Sequence, residues 1–218
     1  MGNFVAGVWT GTVFVPPHPR MAPDEVFGQR PINSCGQDGR PFERFCIRRH
    51  YAPFVSPLKT AAIFTGGACI FKGPTSATPI GGFALVFNTG DHGTESGALE
   101  YQGSDGQIYG HTKTRAELRA ITAALSSRTW LGEGWERIVI ITDSRYVTNN
   151  ATSSLRTWAM RDWMTSSRRQ VENRDLWVDL SEAMGILAEG GCEVSFWEIP
   201  REFNARAYQV AKITARYG

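Results

Sequence analysis

Cysteine and histidine are scarce in this 218-residue chain, and neither is clustered. The four cysteines, Cys35, Cys46, Cys69 and Cys192, form no CxxC pair, and the four histidines are scattered. A disulfide-dense scaffold and a zinc site of the usual spacing are therefore not expected, and a reducing, intracellular setting (cytoplasmic or nuclear) is. No apolar run approaches the ~20 residues needed to cross a bilayer. The apolar start, Met1 to Trp9, has no basic segment before it, and its sixth residue is Ala6, where a myristoylation signal wants Ser or Thr. A soluble protein with no membrane partner is expected. Charge of one sign is also lacking: the formal net charge is +2, too small to mark a nucleic-acid binder by itself. With 42% hydrophobic and 20% charged residues, wholesale disorder is excluded.

Regular periodicity is missing from residues 1 to 57. Pro16, Pro17, Pro19, Pro23, Pro31, Pro41, Pro53 and Pro57 punctuate this stretch, and proline both breaks helices and interrupts sheet ladders. It reads as an irregular, proline-rich extension lying on a domain that spans residues 58–218, with one short strand between Val8 and Val15. Its basic cluster, Arg40, Arg44, Arg48 and Arg49 against Glu43, reads as solvated surface.

What the rest contains is alternation of strands and helices. Ala61–Thr65, Gly81–Phe87 and Gly97–Gln102 read as three strands joined by Gly- and Pro-bearing turns, an antiparallel meander. Thr114–Leu125 places Leu118, Ile121 and Leu125 at helical spacing, and Thr114 with Glu117 has the form of a capping box. Ile138-Val139-Ile140-Ile141 reads as a strand covered on both faces, delivering Asp143 to its carboxyl end. Asp143 is there either a helix cap or a functional acid. A helix follows from about Arg174 to Ala188, stopped by Gly190-Gly191. Cys192–Ile199 is a last strand ended by Pro200, and Asn204 caps a terminal helix. The implied fold is α/β: a mixed five-stranded sheet flanked by helices.

This order and several short motifs resemble the ribonuclease H family over about Ala61 to Lys212. Thr65-Gly66-Gly67-Ala68-Cys69 is similar to its first-strand motif, and Arg115-Ala116-Glu117-Leu118 to its first-helix motif. Thr142-Asp143-Ser144-Arg145-Tyr146-Val147 is the most specific match. Val171-Glu172-Asn173-Arg174-Asp175-Leu176-Trp177 and Asn204-x-x-Ala207-Tyr208-Gln209-Val210-Ala211-Lys212 resemble two later segments. The resemblance implies hydrolysis of the RNA strand of an RNA–DNA hybrid by two Mg²⁺ ions roughly 4 Å apart, held by four carboxylates.

Carried over residue by residue, two of those acids are Glu117 and Asp143, whereas Gly66 and Tyr208 stand at the positions of the other two. A histidine-bearing loop is also replaced, by Pro200-Arg201-Glu202-Phe203. Each close carboxylate–charge contact is worth about 4 kcal/mol at an effective dielectric of 20, so losing two weakens a two-metal site severely. No cofactor is expected beyond a weakly held Mg²⁺ or Mn²⁺ between Glu117 and Asp143. Of the other acids, Asp91, Glu95, Glu100, Asp105 and Glu198, none is expected to step in. Gly66→Asp with Tyr208→Asp is expected to restore metal binding if the frame is intact. For partners, the resemblance implies an RNA–DNA hybrid or RNA, held with modest, salt-sensitive affinity through Lys113, Arg156, Arg161, Arg168 and Arg169. Trp158 and Trp163 read as helix-packing residues. A non-cutting nuclease relative is the leading expectation, beside a protein-interaction module and an enzyme using Glu117, Asp143 and Tyr208 in a vacated pocket.

Overall fold

The computed structural model describes residues 3–35, 41–47, 59–71, 78–88 and 93–218. Arg40, Arg48, Arg49 and Asp91 lie outside the described residues, and the same holds for the side chains of Glu43 and Arg44.

Strand β9 (Arg137–Thr142) shows why the fold closes as it does. Side chains alternate across a strand. Ile138 and Ile140 enter one core with Leu118, Ile121, Trp177 and Phe196, while Val139 and Ile141 enter a second core with Phe14, Phe27 and Trp197. An unbroken apolar run is stable there because both faces are covered. On one side of β9 runs β10 (Glu193–Glu198), parallel to it, and on the other the long strand β6 (Thr60–Phe71), also parallel. Strand β6 then pairs antiparallel with β7 (Pro79–Val86), and β7 with β8 (Thr94–Ala98). The five expected strands are thus present in the expected mixed arrangement, the third of them lying at 94–98, ahead of the expected 97–102.

The sheet is wider than five strands. Short β3 (Thr12–Val13) adds parallel to β10, and the hairpin of β4 (Phe27–Cys35) and β5 (Pro41–Ile47) joins antiparallel through β5 to β6. A separate two-stranded ribbon, β1 (Asn3–Val5) with β2 (Val8–Thr10), packs through Trp9 against the helix at Gly185. The expected irregular extension therefore contains paired strands. Pro41 begins a strand and Pro31 coincides with a register shift, two places where a missing N–H is tolerated.

Helices α2 (Lys113–Ser126) and α5 (Arg174–Glu189) cover the first core. The first is capped by Thr112, whose hydroxyl accepts from Arg115 N, and not by Thr114; with Arg115 three residues on, the cap is a simple one and the expected capping box is not formed. Short α1 (Pro23–Val26) lies in the extension, and α3 (Arg145–Asn149), a π turn and α4 (Leu155–Ala159) lead away from β9. The last helix, α6 (Ala205–Tyr217), lies on β6 and β7 through Ala68, Ala84 and Ala211. No described helix is long and apolar enough to cross a membrane.

Phe14 of the extension sits 5.6 Å from Phe27 and 5.3 Å from Trp197, ring to ring, in the second core. Phe14→Ala is expected to cost about 3–5 kcal/mol of unfolding free energy in a urea titration, against less than about 0.5 kcal/mol for the exposed neighbour Val15→Ala. Equal, small effects would mean that the extension is not part of the folded unit.

Candidate functional site

Glu117 stands on α2 and Asp143 just past the end of β9, and Ser144 brings them together. The Ser144 hydroxyl donates to Glu117 Oε2 at 2.7 Å. Ser144 is also the N-cap of α3, so Asp143 is free of that role. Both acidic side chains are largely buried, 6% and 8% exposed.

Neither carboxylate is left open. Asp143 Oδ2 accepts from Arg201 Nε at 2.8 Å, and Oδ1 accepts from Asn204 Nδ2 at 2.7 Å. The same Asn204 amide donates to Thr65 O on β6 at 2.9 Å. Asn204 was expected to cap the last helix; it precedes α6 at the N-cap position, but its side chain makes no cap bond and serves Asp143 and Thr65 instead. Lys113 Nζ lies 2.9 Å from Glu117 Oε1, an ion contact without hydrogen-bond alignment. Arg201 also lies 4.3 Å over the ring of Tyr208. Burial works against the Arg201 charge, but the hydrogen bond to Asp143 and the charges of Asp143, Tyr208 and Glu117 outweigh it and raise its pKa.

Gly66 is a contact point for the last helix. A Cβ built there would lie 2.7 Å from Ala207 C and 2.8 Å from Tyr208 N, both backbone atoms that cannot rotate away. Next to it, a Cβ at Gly67 would fall 2.3 Å from Glu117 N, so α2 approaches equally closely on the other face. The expected double replacement Gly66→Asp, Tyr208→Asp therefore does not meet an intact frame. The Asp at 66 needs α6 to move.

These donors do not suit a hard divalent ion. Mg²⁺ takes six oxygens in a nearly ideal octahedron, whereas glycine brings no side chain and Tyr208 lies under a guanidinium. An ion at Asp143 or Glu117 would compete with the contacts those carboxylates already make to Arg201, Asn204, Ser144 and Lys113. Among the described residues no group of three or more His, Cys, Asp and Glu could hold a metal. The other candidate acids are engaged elsewhere: Glu95 with Arg128, Glu100 with Arg119, Asp105 with Tyr109 and Glu198 with Arg145. Arg201 contacts both Asp143 and Tyr208, two of the groups expected to line a vacated pocket.

Helix α2 is held in place by a buried pair. Arg115 donates to both carboxylate oxygens of Asp175 on α5, at 2.9 and 2.5 Å, with the Tyr109 ring 4.0 Å away. This bidentate contact orients the helix that carries Glu117.

Arg156, Arg161, Arg168 and Arg169 are exposed on α4 and the loop after it, and none forms an ion pair among the described residues. The loop is closed by a Met164–Gln170 bridge and by Thr165, which binds Arg169 O. Trp158 packs edge-on against Trp177 at 5.4 Å, and Trp163 joins the same core, as the packing reading expected. No described contact links this ridge to the Glu117–Asp143 pair. Arg201, Asn204 and Ser144 were missed as site residues. The available signal was Arg201, a cation standing in the segment where a functional histidine was sought.

Comparison with known proteins bears on the family and the fold. A family model described as RNase H matches residues 59–189. The chain is 35% identical over 134 residues to Ribonuclease H of Treponema pallidum subsp. pallidum, covering 58% of this chain and 72% of that protein. It is 35% identical over 126 residues to Ribonuclease H of Erythrobacter litoralis, covering 58% and 76%. The solution structure of the PFV RNase H domain superimposes with a TM-score of 0.54 at 18% identity, over 71% of this chain and 93% of that one. A foamy viral protease-reverse transcriptase in complex with RNA/DNA hybrid gives 0.52 at 17% identity, over 71% and 20%.

Since helix α6 rests on the bare backbone at Gly66, Gly66→Ala is expected to destabilise the protein by about 1–3 kcal/mol, the usual cost of overpacking. Chemical denaturation measures it; a neutral or stabilising alanine would show that the close approach is not real.

Proposed function

This chain belongs to the ribonuclease H family, and from that premise we propose that it binds nucleic acid on the family's fold without cutting it. The observation that carries the reading is the state of the two surviving acids: each faces a basic side chain of the same protein, Asp143 with Arg201 and Glu117 with Lys113. Four carboxylates require divalent ions to balance them. Two carboxylates beside one guanidinium and one ammonium are already balanced, and little electrostatic drive remains to recruit Mg²⁺. Two-metal hydrolysis needs a bridging carboxylate at position 66, and Gly66 supplies none.

Binding is supported by the exposed Arg156, Arg161, Arg168 and Arg169, which form no ion pair among the described residues and offer positive charge to a phosphate backbone. A duplex with RNA character is the natural ligand class, since one fold neighbour is seen in complex with RNA/DNA hybrid. With a net charge of +2 the attraction is local, so affinity is modest and falls steeply with salt. In this reading the protein marks, protects or competes for such duplexes.

The test is a cleavage assay on an end-labelled RNA–DNA hybrid with Mg²⁺ or Mn²⁺. No product above a metal-free control is expected, while the intact hybrid is retarded by the protein at low salt. Metal-dependent cutting that disappears in Asp143→Asn would falsify the non-cutting reading. Absence of any salt-sensitive binding would instead remove its nucleic-acid half.

A further inference from the structure

Arg201 is held on two sides and free on the third. Its Nε is bound to Asp143 and its Cζ lies over the Tyr208 ring, but its terminal nitrogens have no partner among the described residues. A guanidinium has five donors in a rigid fork that fits a phosphate, and stacking on an aromatic ring fixes the direction of that fork. Lys113 is placed similarly: one contact to Glu117, with the remaining donors of its ammonium uncommitted.

Exposure separates the charges of this site by depth. Arg201 and Lys113 are 47% and 48% exposed, whereas the carboxylates behind them are 8% and 6% exposed. The site is neutral in sum, yet its outward side is cationic. An anion approaching from solvent meets donors first, and the acids act as buried anchors that hold those donors in position. Ser144 ties the two halves into one unit through its bond to Glu117, and Asn204 fixes Asp143 from the side of the last helix.

We propose that Arg201 and Lys113 form a phosphate cradle that grips a backbone phosphodiester of a bound nucleic acid directly, at the mouth of the Glu117–Asp143 site. This deepens the proposed function and rests on it: the arginine ridge supplies diffuse attraction, and the cradle supplies a fixed point of register. Lys113 begins helix α2 and Arg201 leads into helix α6, and the two are linked through Glu117, Ser144 and its neighbour Asp143.

The experiment is fluorescence anisotropy of a labelled short RNA–DNA hybrid, titrated at several salt concentrations with the full chain and its variants. Failure of the unaltered protein to bind overturns the nucleic-acid reading itself. Given binding, Arg201→Ala and Lys113→Ala are each expected to weaken it by about tenfold at low salt, the typical worth of a charge-assisted hydrogen bond. Each should also lower the slope of log affinity against log salt by about one. Arg201→Ala also removes one of the two ties between the start of the last helix and Asp143, so a second variant separates binding from structure. Asp143→Asn breaks the same ion pair but leaves Arg201 in place and removes a negative charge behind it; the cradle predicts tighter binding, by about twofold to fivefold. Equal weakening in Arg201→Ala and Asp143→Asn would mean that the contact is purely structural and would overturn the cradle. So would alanine variants that bind within about twofold of the unaltered protein with the same salt slope.

Discussion

The buried carboxylate of Asp143, shared between Arg201 and Asn204, is the contact on which the arrangement of this protein turns. Asp143 arrives at the end of a strand whose four preceding residues are buried on both faces, so its backbone has little freedom. Arg201 and Asn204 come from the turn that starts the last helix, and Asn204 also holds Thr65 of the neighbouring strand. One side chain thus fastens strand β9, strand β6 and helix α6 at a common point. Removing one partner of such a pair leaves an uncompensated buried charge, which is why these contacts are costly to break even where their net worth is small.

Close approach of backbones is the second constraint, and it is linked to the first. Gly66 and Gly82 let α6 lie on the sheet with no side chain between, and a Cβ at either position would meet the helix backbone below 3 Å. Gly66, which brings no side chain to the site, is also the residue that lets the helix close over it. With α6 drawn in, Arg201 reaches Asp143, and Tyr208 provides the surface on which the guanidinium lies. Charge neutralisation and packing therefore point the same way. Restoring carboxylates one at a time works against both, whereas a variant that only unpairs Arg201 leaves the packing in place.

Much of this was legible in the sequence because it depends on local pattern. Ile138 to Ile141 specify a doubly covered strand by composition alone, and the Thr142-to-Val147 motif located the turn that carries Asp143. Helical spacing of Leu118, Ile121 and Leu125 found α2. What was not legible depends on long-range pairing. A strand between Val8 and Val15 was legible, and β2 and β3 lie there, but β4 and β5 exist because they pair with each other and with the edge of β6, information absent from a proline-rich stretch of the sequence. The roles of Arg201 and Asn204 were hidden for a related reason: a cap residue and an exposed arginine are common in such turns, and only the fold brings them to a carboxylate 58 and 61 positions away. Thr114 and Asn204 look like caps locally, but Thr112 takes the first role, and the Asn204 side chain has a more demanding partner.

A Mn²⁺ titration of isotope-labelled protein, followed by paramagnetic broadening of backbone amide signals, bears most directly on whether side-chain cations have taken over from metal ions here. The expected result is weak broadening spread over exposed acidic residues, with the amides of Gly66, Glu117, Asp143 and Ser144 unaffected at stoichiometric metal. Selective loss of those four signals at the first equivalent would place an ion between Glu117 and Asp143 and contradict the self-neutralised site.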